Sequence, residues 1–312
     1  MPQSQSLPKL RIGTRGSKLA RVQTEMVQTV LRSRGGVDCE VVTITTSGDR
    51  IQDRPLADAG GKGLFTKELE DALLDGRIDL AVHSMKDVPT IFPYRLGIAA
   101  LLPREDPRDA FLSHRAKSLA ELPKGARIGT SSVRRQAQVM RARSDLEVLL
   151  LRGNVDTRLA KLDAGALDAI LLAYAGLKRL GLEARATSLL SPADWLPALA
   201  QGAVGIEIRN DDGRAASAVA PLNDHATTVA LACERAFQSA LDGSCRTPIA
   251  GLGTYEKGRL VFHGEVLAPD GSDFVVAELD VVLGTDAVSE AEIAGRELGL
   301  ELKPRAARWL AQ

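Results

Sequence analysis

A polar stretch directly after a short apolar run carries the chemically most useful side chains of this sequence. Ile78 to Val82 is apolar and too short for a helix, which is typical of a buried parallel strand, and His83 to Asp87 follows it. Pro89 then favours an extended backbone and disfavours a helix. Ligands of open α/β sheets bind just beyond the carboxyl ends of the strands. Asp87 is therefore a candidate catalytic residue, although an ordinary loop could carry the same polar side chains.

A second candidate site lies at a predicted helix start. Ser131 and Ser132 are good helix-capping residues, yet Arg134 and Arg135 occupy the first turn that follows. Cations there oppose the helix dipole by about 0.3–1 kcal/mol each. Two interpretations stay open: the charges are solvated, or hydroxyls, backbone N–H groups and arginines together bind an anion such as a carboxylate or phosphate.

Further cations are predicted at equivalent places. Arg15 and Lys18 stand at the start of another helix, Arg152 follows a predicted strand, and Arg158 lies one helical turn into the next element. From Arg127 to Arg158 the chain has seven arginines against three acidic residues. Such clustering is repulsive unless a polyanion occupies it. A carboxylate among these cations would stay ionised and could stabilise a substrate cation or move a proton, or it could be only a structural ion-pair partner.

The elements that must position these residues occur twice. Arg127–Thr130 matches Arg11–Thr14, and Leu162–Asp168 resembles Leu74–Asp79, in the same order and context. The repeat predicts two α/β lobes of similar topology around a cleft. A strand at Val204–Ile208 is predicted to return the chain to the first lobe.

The remaining chain predicts a lid and a third domain. Ser47–Gly63 is polar, glycine-rich and long for a connection, which favours a mobile lid. Leu260–Leu267 and Phe274–Val282 read as antiparallel strands before a helix from about Val288 to Leu298, as in a small α+β domain. The predicted domains are 1–102 with 203–221, 103–202, and 222–312.

Composition narrows the function class. Forty basic and forty acidic residues cancel, which argues against a general nucleic-acid or membrane-surface binder. No apolar run approaches the ~20 residues of a membrane span, and we expect a cytoplasmic protein. Cys39 and Cys233 are predicted core residues, whereas Cys245 lies in a loop beside Arg246, where a thiolate is favoured. No cysteine or histidine spacing predicts a metal site.

Six stretches in order resemble the porphobilinogen deaminase (hydroxymethylbilane synthase) family: 83–90, 129–138, 151–159, 173–181, 199–207 and 243–250. The resemblance implies two periplasmic-binding-protein-like (type II) lobes and a small α+β domain. It implies a transferase of tetrapyrrole synthesis that condenses four porphobilinogens head to tail, releases ammonia and hydrolyses the product to hydroxymethylbilane. It also implies a dipyrromethane cofactor joined by a thioether to Cys245.

The resemblance assigns roles residue by residue, with Asp87 as the catalytic carboxylate. It implies the following cofactor-binding residues: Cys245, Lys86, Ser84, Thr130, Ser132, Arg134, Arg135, Arg152 and Asp49. It implies the following substrate-binding residues: Arg15, Ser17, Gln23, Lys62, Phe65, Arg158 and Arg179. Porphobilinogen is the implied partner, with uroporphyrinogen-III synthase suggested downstream, and we expect a monomer.

Two other function classes are alternatives for this sequence. A two-lobed protein that binds carboxylates without catalysis would have the same lobes and arginines, but it would need neither Asp87 nor a reactive Cys245. A metal- or nucleotide-dependent transferase is disfavoured, since Gly60–Gly63 resembles a P-loop only loosely and no GxGxxG motif opens a helix.

Overall fold

The computed structural model describes residues 9–50, 63–241 and 247–310. Its strands are β1 (Leu10–Arg15), β2 (Cys39–Ile44), β3 (Leu80–Ser84), β4 (Leu96–Leu101), β5 (Asp109–Ser113), β6 (Arg127–Thr130), β7 (Glu147–Leu150), β8 (Ala169–Ala173), β9 (Ser188–Leu189), β10 (Val204–Arg209), β11 (Ile249–Glu256), β12 (Arg259–Leu267) and β13 (Phe274–Val282). Its helices are α1 (Lys18–Gly35), α2 (Ser47–Arg50), α3 (Lys67–Leu74), α4 (Val133–Ala142), α5 (Val155–Asp163), α6 (Tyr174–Arg179), α7 (Gly213–Val219), α8 (His225–Ala240) and α9 (Ala287–Ala306).

The first lobe is built on a mixed sheet of order β2-β1-β3-β10-β4. The strand β3 is buried on both faces, because its alternate side chains enter different cores: Leu80 and Val82 pack against α1 and α7, and Ala81 packs against α3. Gly36, in the left-handed region at φ 60°, ends α1. The strand β10 pairs antiparallel with β3 and β4, which confirms that the chain returns to this sheet.

The second lobe repeats this topology with the order β7-β6-β8-β5-β9. In each lobe three strands are parallel and the next one, β10 or β5, runs antiparallel to them. The two-lobed α/β prediction is therefore confirmed. Strand β5 was not predicted, because its apolar run is only three residues long (Ala110–Leu112) and follows a stretch rich in proline and charge.

The third domain is a three-stranded antiparallel sheet, β11-β12-β13, covered by α8 and α9. Phe237 of α8 meets Phe262 of β12 edge to face at 4.9 Å between ring centroids. The helices approach closely because Gly295 lies on α9, where an added Cβ would come within 2.2 Å of the Cys233 carbonyl oxygen. Helix α9 continues past the predicted end at Leu298, since its later residues Leu302 and Ala306 also pack into this core.

The division of the chain into domains at the predicted residues remains a prediction. The parallel strands of both lobes point their carboxyl ends at a common cleft, since Arg15, Asp87, Ser131 and Ala173 all line it. The predicted lid is described only at Ser47–Arg50 and Gly63, and its centre lies outside the described residues.

Candidate active site

The residues after β3 form a tight turn at the cleft. Strand β3 ends at Ser84, and Met85–Asp87 form one turn of 3₁₀ helix before an extended Val88. We call residues 85–89 the Asp87 turn. The prediction that His83 belongs to a polar loop is wrong: it lies within β3, is 4% exposed, and its Nε2 is hydrogen-bonded to Glu207 Oε2 at 2.9 Å. His83 faces away from the cleft because successive side chains of a strand point to opposite faces of the sheet. A polar residue near the end of a strand can therefore be buried within the protein.

The cleft has a volume of about 580 Å³, within the usual range of ~300–1,000 Å³ for small-molecule sites. Both lobes and the third domain contribute to it. Among the lining residues are Arg15, Ser17, Asp49, Phe65, Lys86, Asp87, Ser132, Arg134, Arg135, Arg152, Arg158, Gln238, Thr247 and Ile249. Most of the predicted site residues are thus brought together, and cations predominate among the charged ones.

Arg15, the last residue of β1, stands beside the candidate catalytic carboxylate. Its Nη1 lies 3.8 Å from Asp87 Oδ2, and its guanidinium stacks on Phe65 at 4.1 Å from the ring centroid. Its Nη2 forms an ion pair with Asp49 of α2, and Asp49 also accepts a 2.7 Å hydrogen bond from Thr46 Oγ1. Burial would raise the pKa of Asp49, but Arg15 and Thr46 outweigh burial and lower it. Asp49 therefore holds Arg15 in place.

Arg134 and Arg135 are not solvated, because both are almost completely buried and share one carboxylate. Asp109, at the start of β5, is fully buried and accepts hydrogen bonds from Arg134 Nη1 at 2.8 Å and from Arg135 Nη2 at 2.6 Å. Burial opposes ionisation, yet the two arginines hold the pKa of Asp109 well below its usual range. The negative charge of Asp109 on β5 thus offsets the unfavourable positive charges at the start of α4.

Lys86 is tied to the same cluster across the cleft. Its Nζ donates to Gln201 Oε1 at 3.3 Å, and Gln201 Nε2 donates to Asp109 Oδ1 at 2.8 Å. Enclosure among protein atoms lowers the pKa of Lys86 to about 8, with Asp87 opposing the shift and Arg135 adding to it. Water that reaches the exposed part of this side chain weakens the effect.

Arg152 and Arg158 form the other wall of the cleft. Asn154 caps α5 by accepting from Thr157 N, and this places Arg158 on the cleft side, where its Nε donates to the Gly153 carbonyl at 2.8 Å. Burial and, to a smaller extent, the neighbouring charges of Arg135 and Arg152 together lower the pKa of Arg158 to about 10. Holding these like charges together favours a ligand with several carboxylates.

The other predicted site residues are less directly placed. Ser17 and Ser132 are helix N-caps that line the cleft. Four do not appear among the described lining residues: Gln23, Ser84, Thr130 and Arg179. Gln23 and Ser84 hydrogen bond to each other at 2.8 Å, Thr130 Oγ1 accepts from Ser132 N at 3.1 Å, and Arg179 Nη2 donates to the Gly202 carbonyl at 2.6 Å. Lys62 and Cys245 lie outside the described residues.

Asp109, Gln201 and Trp195 were missed by sequence reasoning. Trp195 Nε1 donates to Asp109 Oδ2 at 3.0 Å, so this carboxylate accepts from the side chains of four residues. A weak signal existed, since an aspartate at the start of the apolar run Ala110–Leu112 needs a buried partner. Nothing in the local sequence identifies which partner.

Comparison with known proteins gives two family matches. The model described as porphobilinogen deaminase, dipyromethane cofactor binding domain, matches residues 10–217, and the porphobilinogen deaminase C-terminal domain matches residues 228–304. Porphobilinogen deaminase of Nitrobacter hamburgensis is 52% identical over 298 residues, which cover 95% of this chain and 93% of that protein. The enzyme of Nitrobacter winogradskyi is 51% identical over the same coverage.

Solved structures with a similar fold include bacterial binding proteins. A periplasmic substrate-binding protein of an ABC transporter from Coxiella burnetii has a TM-score of 0.45 and 16% identity, covering 70% of this chain and 93% of that one. An ancestral arginine-binding protein has a TM-score of 0.39 and 16% identity, covering 69% of this chain and 90% of that one.

Within the described ranges, no helix is both long and apolar enough to cross a membrane.

Proposed function

The chain belongs to the porphobilinogen deaminase family, and on that premise we propose how its cleft residues carry out the reaction. The enzyme is a transferase of tetrapyrrole synthesis that joins four porphobilinogens head to tail on a dipyrromethane cofactor, releases ammonia and yields hydroxymethylbilane. The family disfavours the alternative of a carboxylate-binding protein without catalysis. The observation that carries the proposed residue roles is the position of Asp87, 3.8 Å from Arg15, in a cleft whose charged lining residues are mostly cations.

The donor set suits the cofactor and substrate. Every pyrrole unit carries an acetate and a propionate, and the cleft presents Lys86, Arg15, Arg152 and Arg158 to such groups. Arg134 adds a buried Nε for which the described part of the chain offers no hydrogen-bond partner. The cofactor, when bound, supplies the terminal pyrrole to which the next unit is joined. Lys86 and the α4 residues Arg134 and Arg135 would hold the carboxylates of the cofactor. Arg15 and Arg158 would hold those of the incoming porphobilinogen.

Asp87 acts on the substrate. When the carbon–nitrogen bond of porphobilinogen breaks with the amino group protonated, the electron pair of the bond leaves with ammonia and the positive charge of the ammonium group passes to the methylene-pyrrole unit. The Asp87 carboxylate lies in the cleft with 32% of its side chain exposed, so it can approach this cation and accept a hydrogen bond from the pyrrole N–H. Arg15, stacked on Phe65 and paired with Asp49, is held with its Nη1 3.8 Å from this carboxylate.

Cys245 is the proposed attachment point of the cofactor. Thr247, two residues later in the sequence, lines the cleft, as does Gln238 near the end of α8. Residues before and after Cys245 in the sequence therefore line the cleft. Cys39 and Cys233 are buried, and the pKa of Cys233 is raised by burial to about 12, so neither can serve as a nucleophile at neutral pH.

Several finer points belong to the same proposal. Free Cys39 and Cys233 support a reducing compartment, and we place the enzyme in the cytoplasm as a monomer. The domain division stays 1–102 with 203–221, 103–202, and 222–312. Uroporphyrinogen-III synthase is the proposed downstream partner. Sedimentation of the purified enzyme, alone and with that synthase, tests the monomeric state and the downstream partner.

The test of Asp87 is the Asp87→Asn variant of the purified holoenzyme. The amide keeps the shape but cannot offset a cation, so we expect kcat to fall by roughly 10²–10³-fold with little change in Tm. The matched control is Asp71→Asn, which removes an exposed carboxylate paired with Lys67 and should leave kcat unchanged. A variant with near-normal kcat removes Asp87 from its proposed role.

The test of Cys245 is the intact mass of the denatured protein with a peptide map. An excess of two pyrrole units on the Cys245 peptide is expected for the purified enzyme, and Cys245→Ala should lack it and lose activity. An unmodified Cys245 peptide that stays unmodified after incubation with porphobilinogen would refute the attachment site.

A further inference from the structure

Arg235 of α8 connects the third domain directly to the Asp87 turn. Its Nη2 donates to the Pro89 carbonyl at 2.7 Å and its Nη1 donates to the Val88 carbonyl at 3.2 Å. The guanidinium also stacks on Phe92, with Cζ 5.2 Å from the ring centroid. One planar side chain therefore contacts three positions of the segment that follows Asp87.

The setting of Arg235 is unusual for a charged side chain. Burial lowers its pKa to about 10, with Glu207 opposing the shift, and no salt bridge to a carboxylate is formed within the described ranges. Burying a cation is costly unless its hydrogen bonds are well placed. The two consecutive carbonyls match the rigid donor fork of arginine, which a lysine ammonium cannot reproduce. The contact is thus specific in geometry as well as in charge.

The carbonyls in turn depend on Arg235. Val88 is 5% exposed, and a buried carbonyl oxygen without a partner costs about as much as a lost hydrogen bond. Pro89 has no N–H and neither residue belongs to a described strand, so sheet pairing does not fix this end of the turn. The other end is fixed by Met85 N, which donates to the Ala203 carbonyl at 3.0 Å.

Helix α8 also reaches the other part of the proposed machinery. Gln238, one helical turn after Arg235, lines the cleft, and α8 ends at Ala240, five residues before Cys245 in the sequence. The same helix therefore contacts the backbone beside the catalytic carboxylate and ends close in sequence to the proposed attachment cysteine.

We propose that Arg235 is a positioning residue that sets the Asp87 turn relative to the third domain, and hence relative to the primer on Cys245. Arg235 is not among the described residues that line the cleft, and it acts through the Val88 and Pro89 carbonyls. This inference rests on the proposed function. A displacement of reacting groups by about 1 Å can cost around 10²-fold in rate, so a loose turn lowers kcat more than it weakens binding of porphobilinogen.

The test compares Arg235→Met and Arg235→Lys with the wild-type holoenzyme. Methionine keeps the apolar stem and removes both donors, and lysine keeps the charge without the fork. The control is Arg296→Met, which removes a cation from the same cavity of about 500 Å³ between the 90–92 segment, α8 and α9, without contacting the Asp87 turn. Arg296 pairs with Glu292 on its own helix and should be tolerated.

We expect kcat of Arg235→Met to fall by roughly 10- to 100-fold, with KM within about threefold of wild type and two pyrrole units still on Cys245. Arg235→Lys should recover only part of the rate. Arg296→Met should behave as wild type.

Three outcomes overturn the inference. The first is an Arg235→Met enzyme with wild-type kcat. The second is a loss that lies in KM or in cofactor loading while kcat is intact. The third, decisive if Arg235→Met does not fold, is an Arg235→Lys enzyme with wild-type kcat, which would reduce Arg235 to a structural charge. A wild-type protein that neither carries the cofactor nor consumes porphobilinogen would instead contradict the proposed function.

Discussion

Replacing Asp109 by asparagine tests whether one buried carboxylate holds the cationic wall of the cleft together. Its Oδ2 accepts from Arg134 Nη1, Arg135 Nε and Trp195 Nε1 at 2.8, 3.1 and 3.0 Å, and its Oδ1 accepts from Arg135 Nη2 and Gln201 Nε2 at 2.6 and 2.8 Å. An amide NH₂ in either orientation would face at least two of these donors. The variant also leaves two buried guanidinium groups without their shared counter-charge.

Breaking a buried ion pair by removing one partner costs about 3–5 kcal/mol. For a lobe of about this size, such a loss lowers Tm by roughly 10 °C or more. The assay is thermal unfolding of Asp109→Asn followed by circular dichroism, beside Asp280→Asn as control. Asp280 makes two 2.6 Å hydrogen bonds with Arg259 on an exposed sheet surface, and its removal should leave Tm almost unchanged.

The pH dependence adds a second criterion. The folded state depresses the pKa of Asp109, so its stabilisation is present above the unfolded pKa of about 3.9 and is lost as the pH falls towards the folded value. The difference in Tm between wild type and Asp109→Asn should be constant near neutral pH and should shrink below about pH 4. A Tm change below about 2 °C, or a difference independent of pH, would refute the assignment of Asp109 as the anchor.

Three further predictions concern thiols, packing and a second buried carboxylate. Thiol titration of the denatured enzyme should find two of its three cysteines, because a thioether removes Cys245, and the folded enzyme should react slowly since burial raises the pKa of Cys233 to about 12; three reactive thiols after denaturation would contradict this. Gly205→Ala would place a Cβ 2.2 Å from Met85 Sδ, so we expect a loss of about 1–3 kcal/mol and a lower kcat through the displaced turn, whereas an unchanged Tm and rate would count against tight packing there. Burial raises the pKa of Glu70, so its favourable contribution is present at acid pH and is lost as the pH rises; Glu70→Gln should raise Tm at pH 7, and a lower Tm there would show that the charge is needed.

Much of the site was predictable because its signals are local. The strand before Asp87 was recognisable as a short apolar run, and the positions of Arg152 and Arg158 just after a strand end and one turn into a helix follow from spacing along the chain. The strand at Val204 and the core position of Cys233 could also be deduced from apolar pattern alone. These features depend on the period of a strand or helix, which neighbouring residues largely determine.

The partners of the charges were not predictable in this way. Asp109 meets Arg134 and Arg135 across 25 and 26 residues of chain, and Arg235 reaches Pro89 across 146. Apolar periodicity says which face of an element is buried, but it does not say which other element covers that face. The sequence by itself determined which residue types gather at the strand ends, whereas only the tertiary structure decided which charges neutralise one another, because a buried ion pair depends on the packing of elements distant in the chain.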